Sequence, residues 1–208
     1  MAIPGSGYEN PAVGDVVIRE YDPGWPAAFR DLAGGLRATL SDIALRIDHI
    51  GSTSVPGLAS KDVIDVQVSV ADDVALGTAA SSLEAHGWSR EMDLGSDHHV
   101  AGTSTDERDW RKAVLTEPPG HRRVNLHVRV EGRPNQRYAL LFRDYLRAHP
   151  TSAQAYETLK RQLAALLRHD PDRYADVKEA GCDLIYLAAE EWAPTVGWRP
   201  EPLTTSEP

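Results

Sequence analysis

The segment DHIGSTSVPGLASKDVIDVQVSV, residues 48–70, places phosphate-handling chemistry beside a strand-borne carboxylate. Gly51 can take backbone angles that a Cβ forbids. Ser52, Thr53 and Ser54 follow with three hydroxyls and successive backbone N–H groups. If they open a helical turn, those N–H groups point at an anion. Pro56 and Gly57 close the corner, and Lys61 adds a positive charge just before the next strand. The spacing does not fit the GxxxxGK[ST] phosphate loop. By itself it also reads as a Ser/Thr cap followed by a Pro-Gly turn.

The strand after the loop alternates with period two. Ile64, Val66, Val68 and Val70 fall on an apolar face, with Val63, Asp65, Gln67 and Ser69 on the other. Residues 124–130 repeat the pattern, with Asn125, His127 and Arg129 on the polar side. If the two strands are neighbours, Asp65, Gln67 and His127 share one surface. Any half-exposed strand alternates this way, so the pattern fits a cleft and a plain solvated face alike. His98 and His99 read as a surface loop, because adjacent strand residues point to opposite faces and make poor joint ligands. Arg108, Arg111, Lys112, Arg122 and Arg123 either meet phosphates or stay solvated. Cys182 reads as a small buried apolar side chain.

These residues need elements to hold them. Strands are expected over residues 16–20, 45–50, 62–70, 110–115 and 124–130, with helical patterns over 29–40 and 75–86. Beyond residue 134 the apolar spacing is helical. One stripe runs through Tyr138, Leu141, Phe142 and Tyr145, and a second through Tyr156, Leu159, Leu163 and Leu166. Asp170 is an expected N-cap with Pro171 at the first helical position of a third helix. Gly181 weakens the middle of that helix by roughly 1 kcal/mol relative to Ala. The expected organisation is a domain over 15–193, with a sheet part to about 133 and a helical part from 134. Flexible tails are expected over 1–14 and 194–208.

With 208 residues, 41% hydrophobic and 25% charged, the chain has the composition of a globular domain with a substantial core. A net charge of −9 argues against general nucleic-acid or membrane-surface binding, and leaves room for a local basic patch that holds one phosphorylated molecule. A single cysteine, no signal-peptide pattern and no apolar run long enough to span a bilayer lead to an expected cytoplasmic protein.

HIGSTSVPGLASKDVIDV resembles the signature of the GrpB family within the nucleotidyltransferase superfamily. Further matches are NLHVRV at 125–130, LLFRDYLRAHP at 140–150, and the helices around Tyr156, Lys160, Tyr174 and Lys178. The sequence is also similar to the GrpB-like domain appended to some actinobacterial dephospho-coenzyme A kinases. It contains no kinase phosphate loop, so it is expected to be that domain standing alone. The resemblance implies an α+β, DNA polymerase beta-like fold with a small mixed sheet, flanking helices and a C-terminal helical subdomain. It implies that Gly51 and Ser52, with Thr53, Ser54 and Lys61, hold nucleotide phosphates. Arg143, Lys160 and Lys178 match basic positions of the family and would close one wall of the cleft.

In the superfamily, an Asp-x-Asp pair and a third carboxylate hold two Mg²⁺ or Mn²⁺ ions for in-line displacement. Asp65 matches the first carboxylate, Gln67 occupies the place of the second, and His127 falls near the third. One carboxylate and one amide oxygen make a weak Mg²⁺ set. The site then uses one metal completed by substrate phosphates, or His127 serves as an acid or base, or the protein binds without catalysing. The resemblance leaves two alternatives. One is an enzyme that transfers a nucleoside monophosphate from a triphosphate to a small acceptor. The other is a non-catalytic module that binds a nucleotide or coenzyme in aid of a partner such as a coenzyme A pathway kinase.

Overall fold

A computed structural model describes residues 15–92 and 95–201. Its centre is a five-stranded mixed sheet built from β1 (Arg46–Ile50), β2 (Ile64–Val70), β3 (Ser89–Arg90), β4 (Lys112–Thr116) and β5 (Val124–Val130). The spatial order is β1-β2-β5-β4-β3. β2 and β5 run parallel, and the other pairs are antiparallel. Helices α1 (Trp25–Leu40) and α2 (Asp73–Ala85) pack on one face. Helices α3 (Pro134–Ala148), α4 (Pro150–Leu166) and α5 (Pro171–Val196) form a C-terminal subdomain against the other. The architecture is the α+β plan that the resemblance implies.

Alternation decides the first face. Ile64, Val66, Val68 and Val70 join Val124, Leu126 and Val128 beneath Leu36, Leu40, Ala79, Ala80 and Leu83 in one buried cluster. The opposite face is polar, yet much of it is not open. Gln67 and Ser69 are fully buried under α3, and Arg129 nearly so. Buried polar groups are usually paired, and Gln67 and Arg129 are. The Gln67 amide donates to the Gln136 carbonyl at 3.2 Å, and its oxygen accepts from Arg129 at 2.8 Å. Arg129 also grips Asp97, as does Lys112 at 2.7 Å. Burial works against the Asp97 carboxylate, but Arg129 and Lys112 hold it well below the usual carboxylate range.

Residues 16–20 do not form the expected strand. Arg19 forms an isolated two-bond bridge to Ser60 and the Val16 N–H donates to the Arg168 carbonyl, before the turn at Asp22 leads into α1. Trp110 lies in a 3-10 turn ahead of β4 rather than in the strand. Asp170 caps α5 as expected, its side chain accepting from the Arg173 N–H at 3.1 Å, with Pro171 at the first position. α5 continues past residue 193 to Val196, Gly197 ends it in the left-handed region, and Trp198 packs back as a buried side chain. The weak point expected at Gly181 is a close helix approach, since a Cβ there would sit 2.6 Å from Leu159 Cδ2 on α4. Residues 1–14 and 202–208 lie outside the described residues. No helix among the described residues is long and apolar enough to cross a membrane.

Candidate phosphate-binding cleft

The turn between β1 and β2 is built around Gly51, with φ 67° and ψ −173°. L-residues rarely adopt that region. The turn also brings the Gly51 backbone against Asp65, where a Cβ would lie 2.2 Å from Oδ2. Glycine is therefore required twice over, by torsion and by space. Ser52–Ser54 make a single 3-10 turn. Its N–H groups are partly used inside the turn, with Ser54 N–H donating to Gly51 O and Val55 N–H to Ser52 O.

The three hydroxyls go different ways. Ser52 faces the cleft and meets the Lys160 ammonium at 3.0 Å. Thr53 is fully buried with its hydroxyl 3.0 Å from His49 Nε2, and Ser54 donates back to the Gly51 carbonyl at 2.6 Å. Thr53 and Ser54 brace the turn, and the expectation that they contact phosphate is not met by their orientation. Arg143 is corrected likewise. It is 4% exposed, bound to the His49 carbonyl at 3.1 Å and paired with Asp144 at 2.7 Å. The neighbouring Arg147 holds the Ser54 carbonyl from outside.

Six expected residues do come together. Gly51 abuts Asp65, and Ser52, Lys61, Asp65, Lys160 and Lys178 line one pocket of about 70 Å³ between the turn, β2, α4 and α5. Lys160 reaches down from α4, also donating to the Ala59 carbonyl, with its ammonium 4.8 Å from the centre of the Tyr156 ring. Lys61 sits 5.5 Å over the Tyr174 ring. Tyr156 and Lys160 on α4 repeat the spacing of Tyr174 and Lys178 on α5, so each helix delivers an aromatic base and a cation one turn apart. Lys178, half-buried, makes no hydrogen bond or ion pair among the described residues. Burial, and after it Lys178, push the Lys160 ammonium down to about 7. The same two causes lower Lys61.

Asp65 is the pocket's one lining carboxylate. Asn125, its register partner on β5, donates to Oδ1 at 2.8 Å. Burial raises the Asp65 carboxyl, against the pull of Asn125 and of Lys178, Lys61 and Lys160. Alternation puts Asn125 on the polar face, and only the parallel register of β2 and β5 sets it opposite Asp65. Tyr156 and Tyr174, which match the family, also line the pocket.

Gln67 and His127 stay outside this pocket. Gln67 lies beneath α3 with its oxygen turned to Arg129 rather than to Asp65. His127 pairs with Gln67 in register and leaves Nδ1 buried without a hydrogen-bond partner. Burial first, then Arg129 and Lys112, hold its imidazole well below its ordinary range. It is held neutral and is a weak base, which does not suit the acid or base role expected as one alternative for it. Among the basic residues before β5, Arg108, Lys112 and Arg122 are ion-paired with Asp106, Asp97 and Asp62. His98 bridges Glu179 and Asp183.

These donors do not fit a two-metal centre. Among the described residues no second carboxylate lines the pocket beside Asp65, three lysines line it with Asp65, and Gln67 offers its oxygen elsewhere. Among the described residues, no group of three or more His, Cys, Asp or Glu side chains could hold a metal ion. Beyond Lys178 the pocket adjoins a larger cavity of about 470 Å³, lined by Asp97, Lys112, Arg129, Asn135 and Tyr138, with Lys178 common to both.

Comparison with known proteins follows the same outline. A family profile described as GrpB protein matches residues 15–187. A dephospho-CoA kinase of Mycolicibacterium paratuberculosis is 36% identical over 193 residues, which cover 86% of this chain and 47% of the relative. The chain thus spans about half the length of the curated relatives it first matches. The UPF0157 protein BH1888 of Halalkalibacterium halodurans is 33% identical over 79% of this chain and 77% of its own length. The crystal structure of the conserved protein GrpB from Enterococcus faecalis superposes with a TM-score of 0.69 at 30% identity, covering 85% of this chain and 99% of that one.

Proposed function

This chain belongs to the GrpB family, and from that premise we propose that it binds a phosphorylated small molecule, a nucleotide or a nucleotide-like coenzyme. The phosphate end enters the pocket of Ser52, Lys61, Lys160 and Lys178, and the remainder lies past Lys178 in the larger cavity. One observation carries the reading. In a chain of net charge −9, three lysines from three elements converge on a pocket lined by a single carboxylate. Burial first, and then repulsion from Lys178, lower the Lys160 ammonium, so the pocket holds its cations against both desolvation and like charge. An anionic ligand relieves the repulsion. The family's appearance within proteins named dephospho-CoA kinase supports including coenzyme A precursors among the candidates.

Recognition is favoured over group transfer because Asp65 stands without the paired carboxylates that two-metal displacement uses. A nucleotidyl-transfer reading rests on Asp65 alone. It predicts transfer of α-³²P label to an acceptor that Asp65→Asn abolishes.

The test of binding is a thermal-shift and calorimetric screen of nucleoside mono-, di- and triphosphates, dephospho-coenzyme A and inorganic phosphate. A ligand at 100 times its Kd stabilises the fold by about 2.7 kcal/mol. Lys178→Gln is expected to keep the melting temperature of the free protein and weaken the ligand. Equal affinity in Lys178→Gln and wild type would sink the proposal.

A further inference from the structure

Building on the phosphate-binding reading, we propose that this cleft takes the end phosphate of its ligand free of divalent metal, with Lys61, Lys160 and Lys178 supplying the positive charge that metal ions supply in the superfamily. Three features support it. The first is charge. With Lys61, Lys160 and Lys178 all protonated, the state a bound phosphate favours, three ammoniums against the Asp65 carboxylate give an excess of two positive charges, the complement of a phosphate monoester dianion. A divalent cation entering the same pocket would meet that excess as repulsion.

The second is the supply of oxygens. A hard divalent ion needs about six oxygen ligands, carboxylates foremost. Asp65 Oδ1 already accepts from Asn125. The residues opposite Asp65 in register are Ile50 on β1 and Asn125 on β5, neither a carboxylate. Asp48, the carboxylate on the neighbouring strand β1, lies opposite Gln67 and is locked in a two-bond pair with Arg46 at 2.6 and 2.7 Å. Gln67 cannot turn its oxygen to the cleft without abandoning Arg129, a buried cation, because its amide nitrogen is held by the Gln136 carbonyl.

The third is size and donor type. A pocket of about 70 Å³ is on the scale of one phosphate group. The Ser52 hydroxyl and the lysine ammoniums are hydrogen-bond donors, suited to direct contact with phosphate oxygens. A phosphate carrying Mg²⁺ has part of its charge and oxygen surface already used, so the lysines hold it less well.

The test is titration calorimetry of the whole chain with ATP and with AMP, each in EDTA and in excess MgCl₂. ATP is expected to bind about tenfold more weakly in MgCl₂ when nine-tenths of it is complexed, because only the free fraction competes for the site. AMP, which holds Mg²⁺ poorly, is expected to change little. Lys178→Gln is expected to weaken both in EDTA by roughly tenfold, the value of one lost charge-assisted contact. Equal or tighter ATP binding in MgCl₂ overturns the metal-free inference and leaves phosphate binding standing. Binding of neither nucleotide, nor of dephospho-coenzyme A or inorganic phosphate, in either condition overturns both.

Discussion

Gly51→Ala is the sharpest single perturbation the site offers, because two independent terms can be separated. The backbone at φ 67°, ψ −173° lies where a residue with a Cβ is strained by about 1–3 kcal/mol. The new methyl would also sit 2.2 Å from Asp65 Oδ2 and 2.8 Å from Asp65 Cβ and Cγ. Those are core atoms of a short side chain on a central strand, so Asp65 must move. Moving it breaks the 2.8 Å Asn125 hydrogen bond, a charge-assisted contact worth about 1.5–3 kcal/mol. Together the two terms predict a loss of roughly 4 kcal/mol, which for a domain of this size lowers Tm by about 8–16 °C. Urea unfolding of Gly51→Ala, Asp65→Gly and the double variant completes a cycle. Removing the Asp65 side chain relieves the contact term and leaves the torsional one. The coupling is therefore expected at about 1.5–3 kcal/mol. A Gly51→Ala protein within about 0.5 kcal/mol of wild type, the range of an ordinary surface change, would refute the geometry of the turn. A cycle with no coupling would refute the Asp65 contact specifically.

Gln67→Leu is expected to leave Arg129 and the Gln136 carbonyl short of a partner, destabilising by about 2–3 kcal/mol while ligand affinity stays unchanged. Lost binding with intact stability would instead return Gln67 to the ligand site. Lys160 supplies a pH signature. Its ammonium titrates near 7 in the folded protein against 10.5 ordinarily, with Lys178 and Cys182 on α5, Asp65 on β2 and Glu157 on its own helix facing it. Between those values the unfolded chain holds a proton that the folded chain lacks, so this residue makes stability rise with pH from about 7 to 10.5. The slope reaches about 1.4 kcal/mol per unit. Lys160→Met is expected to flatten that rise in chemical unfolding series, and an unchanged slope would show that Lys160 is not depressed. Gly181→Ala is expected to fall short of the helix-propensity gain of about 1 kcal/mol, and pairing it with Leu159→Ala tests whether the 2.6 Å contact withholds it.

Much of the site was legible from residue order because local chemistry is local. Gly51 and Ser52 announce a turn by type, and the period-two pattern from Ile64 to Val70 puts Asp65 on the face away from the core whatever the rest of the chain does. The Asp170–Pro171 start of α5 is equally local and stands as read. What alternation cannot specify is what covers a face. Asp65 and Gln67 are two residues apart on the same side of β2, yet α3 buries Gln67 against Arg129 while Asp65 opens on a cleft. Thr53 and Ser54 carry the same hydroxyl as Ser52, and only the packing of His49 and the Gly51 carbonyl turns them inward. Arg143 and Lys160 were equally plausible cations from sequence. One lies against β1, and the other reaches the pocket through the α4–α5 approach that Gly181 permits. Charge type is written in the chain. Whether three charges from positions 61, 160 and 178 meet one another depends on long-range packing, which no local spacing encodes.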